Sequence, residues 1–336
     1  PAVKRRKVEV DFTGGDITSD AGVLLVRQVD ESLGLTQNLA RVLPDGRRQN
    51  SCKHSLRSML RQRIYALACG YEDGNDHLHL RHDPALQTAV GTTEALSSPA
   101  TLSRLENALD KQAAWRMHEQ FMQTFIRSHD APPEELVLDF DATDIAVHGD
   151  QEGRGFHAFY DHYCFLPLYV FCGEQLLVAY LRPSKIDGAK HAWGILALLV
   201  KRLREEWPGV RLIFRGDSGF CRHRMLEWCD KNDVGYVVGI ARNKVLERLA
   251  APYLAAAKAA YEETGEKQTV FAEDMYAAGS WQRERRLIIK AEQLPKGSNP
   301  RFLVTNLTDE PEVIYREEYC PRGDMENRIK EQQLDL

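Results

Sequence analysis

The stretch LIFRGDSGFCR, residues 212–222, decides how the chain is read. Its apolar start, Leu212, Ile213 and Phe214, has the length and composition of a buried strand. Only Arg215 and Gly216 separate that run from Asp217, and Ser218 and Gly219 follow at once. A strand that ends on a bare carboxylate allows two chemistries. Ser218 is a nucleophile, or Asp217 is a metal ligand at a strand end.

Working outward, the strand containing Asp217 is the fourth of a series. APPEELVLDFDATD carries two prolines that mark a boundary near 131–133, and ELVLDFDAT reads as a first strand. FLPLYVFCG and QLLVAYLRPS follow as a hairpin turned by Gly173–Glu174. A helix is expected over 188–206, then VRLIFRGD, the helix RHRMLEWCDKN, the strand GYVVGI and a helix over 242–263. Arg-rich β-like sequence comes next, then RFLVTNL as a strand and EEYCPRGDMENRIKEQQL as one last helix. Three leading strands suit an antiparallel meander, and the later alternation suits parallel additions. That order is the ribonuclease H-like layout: an α/β fold with a β-rich insertion, preceded by a mostly helical N-terminal region. The expected divisions are 1–130 helical, 131–241 the first part of the core, 242–308 a helix plus the insertion, and 309–336 the final core helix. Short strands and turns around Gly14–Gly15 are expected over 8–28. The helix over 50–70 places apolar residues on one face and Arg57, Arg61 and Arg63 on another.

Composition bounds the answer. The 336 residues are 43% hydrophobic and 28% charged, as in a soluble globular protein. No run approaches the ~18 apolar residues of a membrane span. The start, PAVKRRKVEVDF, lacks an apolar core, so no secretory signal is expected. Seven scattered cysteines without a CxxC pair argue against a disulfide framework or structural zinc and fit a reducing cytoplasm. Net charge is −5, yet residues 1–70 carry 12 Lys and Arg against 7 Asp and Glu, while 131–187 carry 10 acids against 3 bases. A basic part joined to an acidic centre suits a metal enzyme that handles DNA; random surface charge gives the same pattern.

Three acids stand out: Asp141 at the end of the first strand, Asp217 after the fourth, and Glu326 on the last helix. If those strands are neighbours, two carboxylates lie side by side, and both ionise cheaply only beside a cation. Two hard divalent ions would relieve the repulsion and clamp a phosphoryl transfer, with Mg2+ the best match to oxygen ligands and Mn2+ a substitute. Asp139 shares the face of Asp141, as an outer or substitute ligand; Asp144 falls in the turn beyond. Ser218 as a protease-type nucleophile needs a His and an Asp oriented against it, and the sequence points to none. His77, His79 and His82 read as helix-end polar residues rather than a metal set, and 148–165 as a surface loop. Trp281 with Arg283, Arg285 and Arg286 is either a platform for an unpaired base and its phosphates or a hairpin with a half-buried Trp.

Taken together, DFDATD, HGDQEG, YCFLPLYVFCGEQLLVAYLRPS, FRGDSGF and YCPRGDMENRIKEQQLDL resemble bacterial insertion-sequence transposases of the DDE type, specifically transposase DDE domain group 1. The likeness spans almost the whole chain. The broader group with a β-insertion shows Tyr-x2-Arg-x3-Glu-x6-Lys around its third acid. Tyr319, Arg322 and Glu326 fit; Gln333 stands where Lys is expected, and Lys330 lies one turn after Glu326. The resemblance implies Asp141, Asp217 and Glu326 as catalytic metal ligands, and Tyr319, Arg322 and Lys330 as contacts to transposon-end phosphates. It implies metal-dependent strand cleavage at terminal inverted repeats and transfer of the freed 3′-hydroxyl into target DNA. A homodimer on DNA, a mostly helical N-terminal part gripping the terminal repeats with its Arg57, Arg61 and Arg63 face on phosphates, and a nucleoid-associated, cytoplasmic location follow. Family members continue beyond this length, so the chain reads as a truncated copy. A catalytically inactive DNA-binding derivative and a structure-selective nuclease of the same fold are the alternatives.

Overall fold

The computed structural model describes residues 2–3, 6–7 and 17–334. They divide into two compact units, separated at Thr124/Phe125 and at Lys330/Glu331. No helix among the described residues is long and apolar enough to cross a membrane.

The first unit is helical. Its main helices are α1 (Val23–Leu33), α2 (Leu35–Val42), α3 (Leu56–Ala68), α4 (Pro84–Val90), α5 (Pro99–Ala108) and α6 (Lys111–Arg127), whose last three residues belong to the second unit. Local chemistry sets the ends. The Ser55 hydroxyl accepts from the Ser58 N–H before α3, and the Asp83 carboxylate from the Leu86 N–H before α4. Gly34 at φ 66° turns α1 into α2, a left-handed position that favours glycine. Val23, Tyr65, Leu86 and Leu96 fill one core cluster; Leu39, Met59, Leu60 and Leu102 fill another. The extended structure expected over 8–28 is not what Val23–Arg27 adopt: VLLVRQV opens α1, because Val23 and Val26 pack on one side against α3 and α4 residues. Of the rest of that expectation, residues 17–22 are loop and turn, and residues 8–16 lie outside the described residues.

The second unit is a mixed α/β layer structure. Its strands and helices are β1 (Glu135–Ala142), β2 (Leu168–Cys172), β3 (Gln175–Tyr180), α7 (Ala192–Glu206), β4 (Arg211–Gly216), α8 (His223–Lys231), β5 (Gly235–Gly239), α9 (Lys244–Thr264), β6 (Gln268–Tyr276), β7 (Arg285–Leu294), β8 (Arg301–Thr305) and α10 (Arg322–Leu334), whose last four residues belong to the first unit. One nine-stranded sheet runs β6-β7-β8-β5-β4-β1-β2-β3, with Gly297–Ser298 added on β7. β1, β2 and β3 are antiparallel neighbours, while β4 lies parallel to β1 and β5 parallel to β4. The β1–β4 register pairs Asp139 with Arg215 and Phe140 with Gly216, so Asp141 and Asp217 each follow directly after the last pair.

The Arg-rich β segment joins the main sheet: β8 pairs antiparallel with β5, and β7 and β6 extend it, covering a strand edge that would otherwise expose unpaired backbone. Two expectations are overturned. Residues 148–165 are not a plain loop; Gly155–His157 and His162–Phe165 join Ile145–Ala146 in a small three-stranded sheet. The segment before α10 is not one α-helix with it. Ile314–Tyr319 winds as a π-helix, and Cys320–Pro321 breaks the run before Arg322.

Candidate active site

Asp141 near the end of β1 and Asp217 just after β4 build the floor of the site. Leu138 and Phe140 are fully buried on one face of β1, which turns Asp139 and Asp141 to the other. Asp141 Oδ1 accepts the Ala142 N–H at 2.9 Å. Asp217 caps the short turn Ser218–Phe220, its Oδ1 accepting the Gly219 N–H at 2.9 Å. Asp139 is not available as a substitute metal ligand. Arg215 Nε donates to its Oδ1 at 2.9 Å and Nη2 to its Oδ2 at 2.6 Å, and both residues are buried. The third Arg215 nitrogen, Nη1, donates to the Glu318 carbonyl at 2.6 Å.

The third acid arrives from α10. Arg322 Nη2 donates to Glu326 Oε1 at 2.7 Å, one turn along the helix, and Arg322 Nη1 lies 3.8 Å from Asp141 Oδ2. Tyr319 closes the other side. A Cβ added at Gly239 would sit 2.8 Å from the Tyr319 hydroxyl oxygen and 3.0 Å from the Ser218 nitrogen, so only glycine lets the end of β5 approach this closely. Lys330 is exposed one turn beyond Glu326.

Electrostatics tie these groups together. Burial pushes the Asp141 carboxyl up to about 6; Asp217 and Glu326 add to the rise, and Arg322 opposes it. Burial works against the charge on Arg322, but Asp141, Tyr319, Glu326 and Asp217 outweigh it and move its pKa above the usual guanidinium range. Asp141, Asp217, Glu326, Arg322 and Tyr319 thus form one interacting set. The donor chemistry fits a hard divalent ion, being three carboxylates without sulfur or imidazole. The side chains are not closed around such an ion: among the described residues, no three His, Cys, Asp or Glu groups could hold a metal. The Arg322 guanidinium sits among the carboxylates as their cation, with Nη1 buried and without a hydrogen-bond partner.

Other expectations fare differently. Arg61 and Arg63 do not form a cationic outer face. Arg61 is buried against Asp30 and Glu31 at 3.4 Å each, and Arg63 donates to Glu106 and to the Tyr71 and Glu72 carbonyls. Arg57 is half-buried. Arg283 and the buried Arg285 both pair with Asp230, and Trp281 packs edge-on against Tyr276 with Arg285 nearby. Of these cations, Arg285 is engaged within the fold, while Arg283 stays largely exposed beside Asp230. His77 is fully buried, 3.2 Å from Gln62, and no His–Ser218 hydrogen bond occurs among the described residues.

Arg215 and Gly239 carry roles at the site that the sequence does not assign. For Arg215 a signal existed: a cation inside an otherwise apolar strand, two residues before Asp217, needs a buried partner. Tyr160 was also passed over; burial pushes its phenol up, and Asp144, Asp141 and Asp217 add to the rise, so the small sheet borders the same acids.

A sequence profile described as transposase DDE domain group 1 matches residues 1–336. No match was found among curated proteins. Among solved structures, the chain is similar to piggyBac transposase in a synaptic complex with hairpin DNA, at 12% identity and a TM-score of 0.44, over 93% of this chain and 68% of that one.

Proposed function

The chain belongs to the transposase DDE domain group 1 family, and from that premise we propose that it is a DNA transposase whose catalytic acids are Asp141, Asp217 and Glu326. The observation that carries the reading is the convergence of these acids from two adjacent strand ends and a distant helix into one electrostatic set. We infer a ribonuclease H-like core from the strand order, three antiparallel strands followed by two parallel ones, extended by β6–β8 and preceded by a helical DNA-binding region.

The three carboxylates would hold the divalent ions that the family uses, Mg2+ or Mn2+ by ligand chemistry and two per site by analogy. When bound, such ions neutralise charge on the phosphate and lower the pKa of water or a 3′-hydroxyl. The chain's own residues do the rest. Asp141, raised to about 6, gives up its proton near neutrality and then needs a counter-cation. Arg322 supplies a cation beside Asp141 and Glu326. Its guanidinium, with Tyr319 and Lys330, would contact the phosphates of the transposon end, where a planar fork suits bidentate contact. Water is limited at Asp141, whose side chain is 17% exposed, so charge interactions there are stronger than at the surface. Because two ends must be joined, a dimer on DNA is part of the proposal.

The test uses linear DNA bearing the inverted repeats that flank the gene, with Mg2+ or Mn2+. Strand cleavage and joining of the cut 3′ end to a second DNA are expected, both lost in Asp141→Asn, Asp217→Asn and Glu326→Gln. Binding without cleavage under either metal would establish an inactive derivative instead. Cleavage without joining would establish a nuclease.

A further inference from the structure

The Asp139–Arg215 pair lies one step below Asp141 and Asp217, on the same face of the same two strands. Its placement joins three separate stretches of chain. Asp139 precedes Asp141 by two residues, Arg215 precedes Asp217 by two, and the Glu318 carbonyl that takes the last Arg215 hydrogen bond directly precedes Tyr319. That carbonyl belongs to the π-helical run just before the break at Cys320–Pro321. A buried ion pair is a weak device for stability, since apolar residues of similar volume hold a fold as well or better. What it supplies is direction: a planar guanidinium with two nitrogens on one carboxylate has its remaining nitrogen fixed in space.

We propose that Arg215 is a positioning residue for the third acid: by gripping Asp139 with two nitrogens and the Glu318 carbonyl with another, it fixes the segment carrying Tyr319, Arg322 and Glu326 against the strand ends carrying Asp141 and Asp217. The proposal rests on the reading of those acids as one divalent-ion site. Lysine at 215 retains the charge opposite Asp139 but lacks the fork, so it cannot hold both partners in fixed geometry. Loss of the strut leaves α10 attached through its apolar residues, Met325 and Ile329, which pack on Tyr169 and Phe171, yet lets Glu326 drift.

The experiment is Mn2+ titration of the full DNA-free chain, followed by electron paramagnetic resonance, on wild type, Glu326→Gln, Arg215→Lys and the double variant. Arg215→Lys is expected to weaken Mn2+ binding about 10- to 100-fold, the range for groups that orient metal ligands, and by no more than Glu326→Gln. The double variant is expected to bind no worse than the weaker single one, because both changes remove the same ligand. Wild-type affinity in Arg215→Lys, or losses that multiply in the double variant, would overturn the proposal. Should Arg215→Lys fail to fold, Asp139→Leu with Arg215→Met replaces the pair by apolar side chains; the same Mn2+ loss is expected, and undiminished binding overturns the proposal. If Asp141→Asn binds Mn2+ as tightly as wild type, the metal-site reading itself falls, whatever Arg215 does.

Discussion

Asp139 and Asp141 are two residues apart on one face of one strand; burial raises the pKa of both, and they differ in how their oxygens are held. Asp139 has both oxygens taken by a single buried guanidinium. Asp141 has one backbone N–H, a guanidinium nitrogen at 3.8 Å, and two further acids in range. The lower layer is a finished structural bond. The upper layer is an unfinished one, with more negative charge than its single arginine neutralises. Clustered, perturbed carboxylates of this kind mark candidate functional sites.

The comparison is broken most directly at Asp141. Asp141→Asn is expected to lower single-turnover strand cleavage by roughly 1,000-fold or more, as for removal of a group that stabilises developing charge, with the unfolding midpoint in urea preserved. Cleavage within a few-fold of wild type would erase the distinction between the layers. Asp139→Asn should do the reverse in kind. It strands a buried guanidinium and is expected to destabilise the protein by about 3–5 kcal/mol in urea unfolding; a change near zero would mean the pair is not closed.

A carboxylate far from both layers calibrates them. Glu292 is buried; burial works against its charge, but Lys267, Lys290 and Asn299 hold its pKa down to about 2. Because the folded value lies below the unfolded one, its stabilisation is present above about pH 4.5 and is lost as pH falls through about 2. Glu292→Gln is therefore expected to be less stable than wild type by about 2 kcal/mol at pH 7, after discounting the exposed Lys267. The difference should shrink toward zero in acid; a difference independent of pH would contradict this. The smallest effect expected is at Arg322. Arg322→Gln removes the group that lowers the Asp141 pKa, so that carboxyl should titrate further above its present value of about 6. Carboxyl-carbon NMR would read it, and an unmoved titration would show that Arg322 is not the cation of the upper layer.

How much of this was legible in the sequence follows from what pattern encodes. An apolar run ending in a carboxylate revealed β1 and β4, and the alternation along LDFDAT put Asp139 and Asp141 on one face. Pattern shows which residues are polar but not which polar residue a distant one meets. Arg61 looked like a surface cation because Asp30, its partner, is 31 positions away on another helix. Arg215 looked incidental because Glu318 lies far along the chain. The π-helical run before α10 was invisible for a different reason: apolar spacing near four residues is shared by α- and π-turns, and only the hydrogen bond from the Cys320 N–H to the Tyr315 carbonyl separates them.

Under the proposed function, Asp141, Asp217 and Glu326 share a divalent ion. Fe2+ exchanged into the full chain, then ascorbate and peroxide, cuts backbone beside wherever the ion sits. Cuts near residues 141, 217 and 326 in wild type, absent from Asp141→Asn, are the result this account requires. Cuts at other segments, or the same cuts persisting in Asp141→Asn, would contradict it.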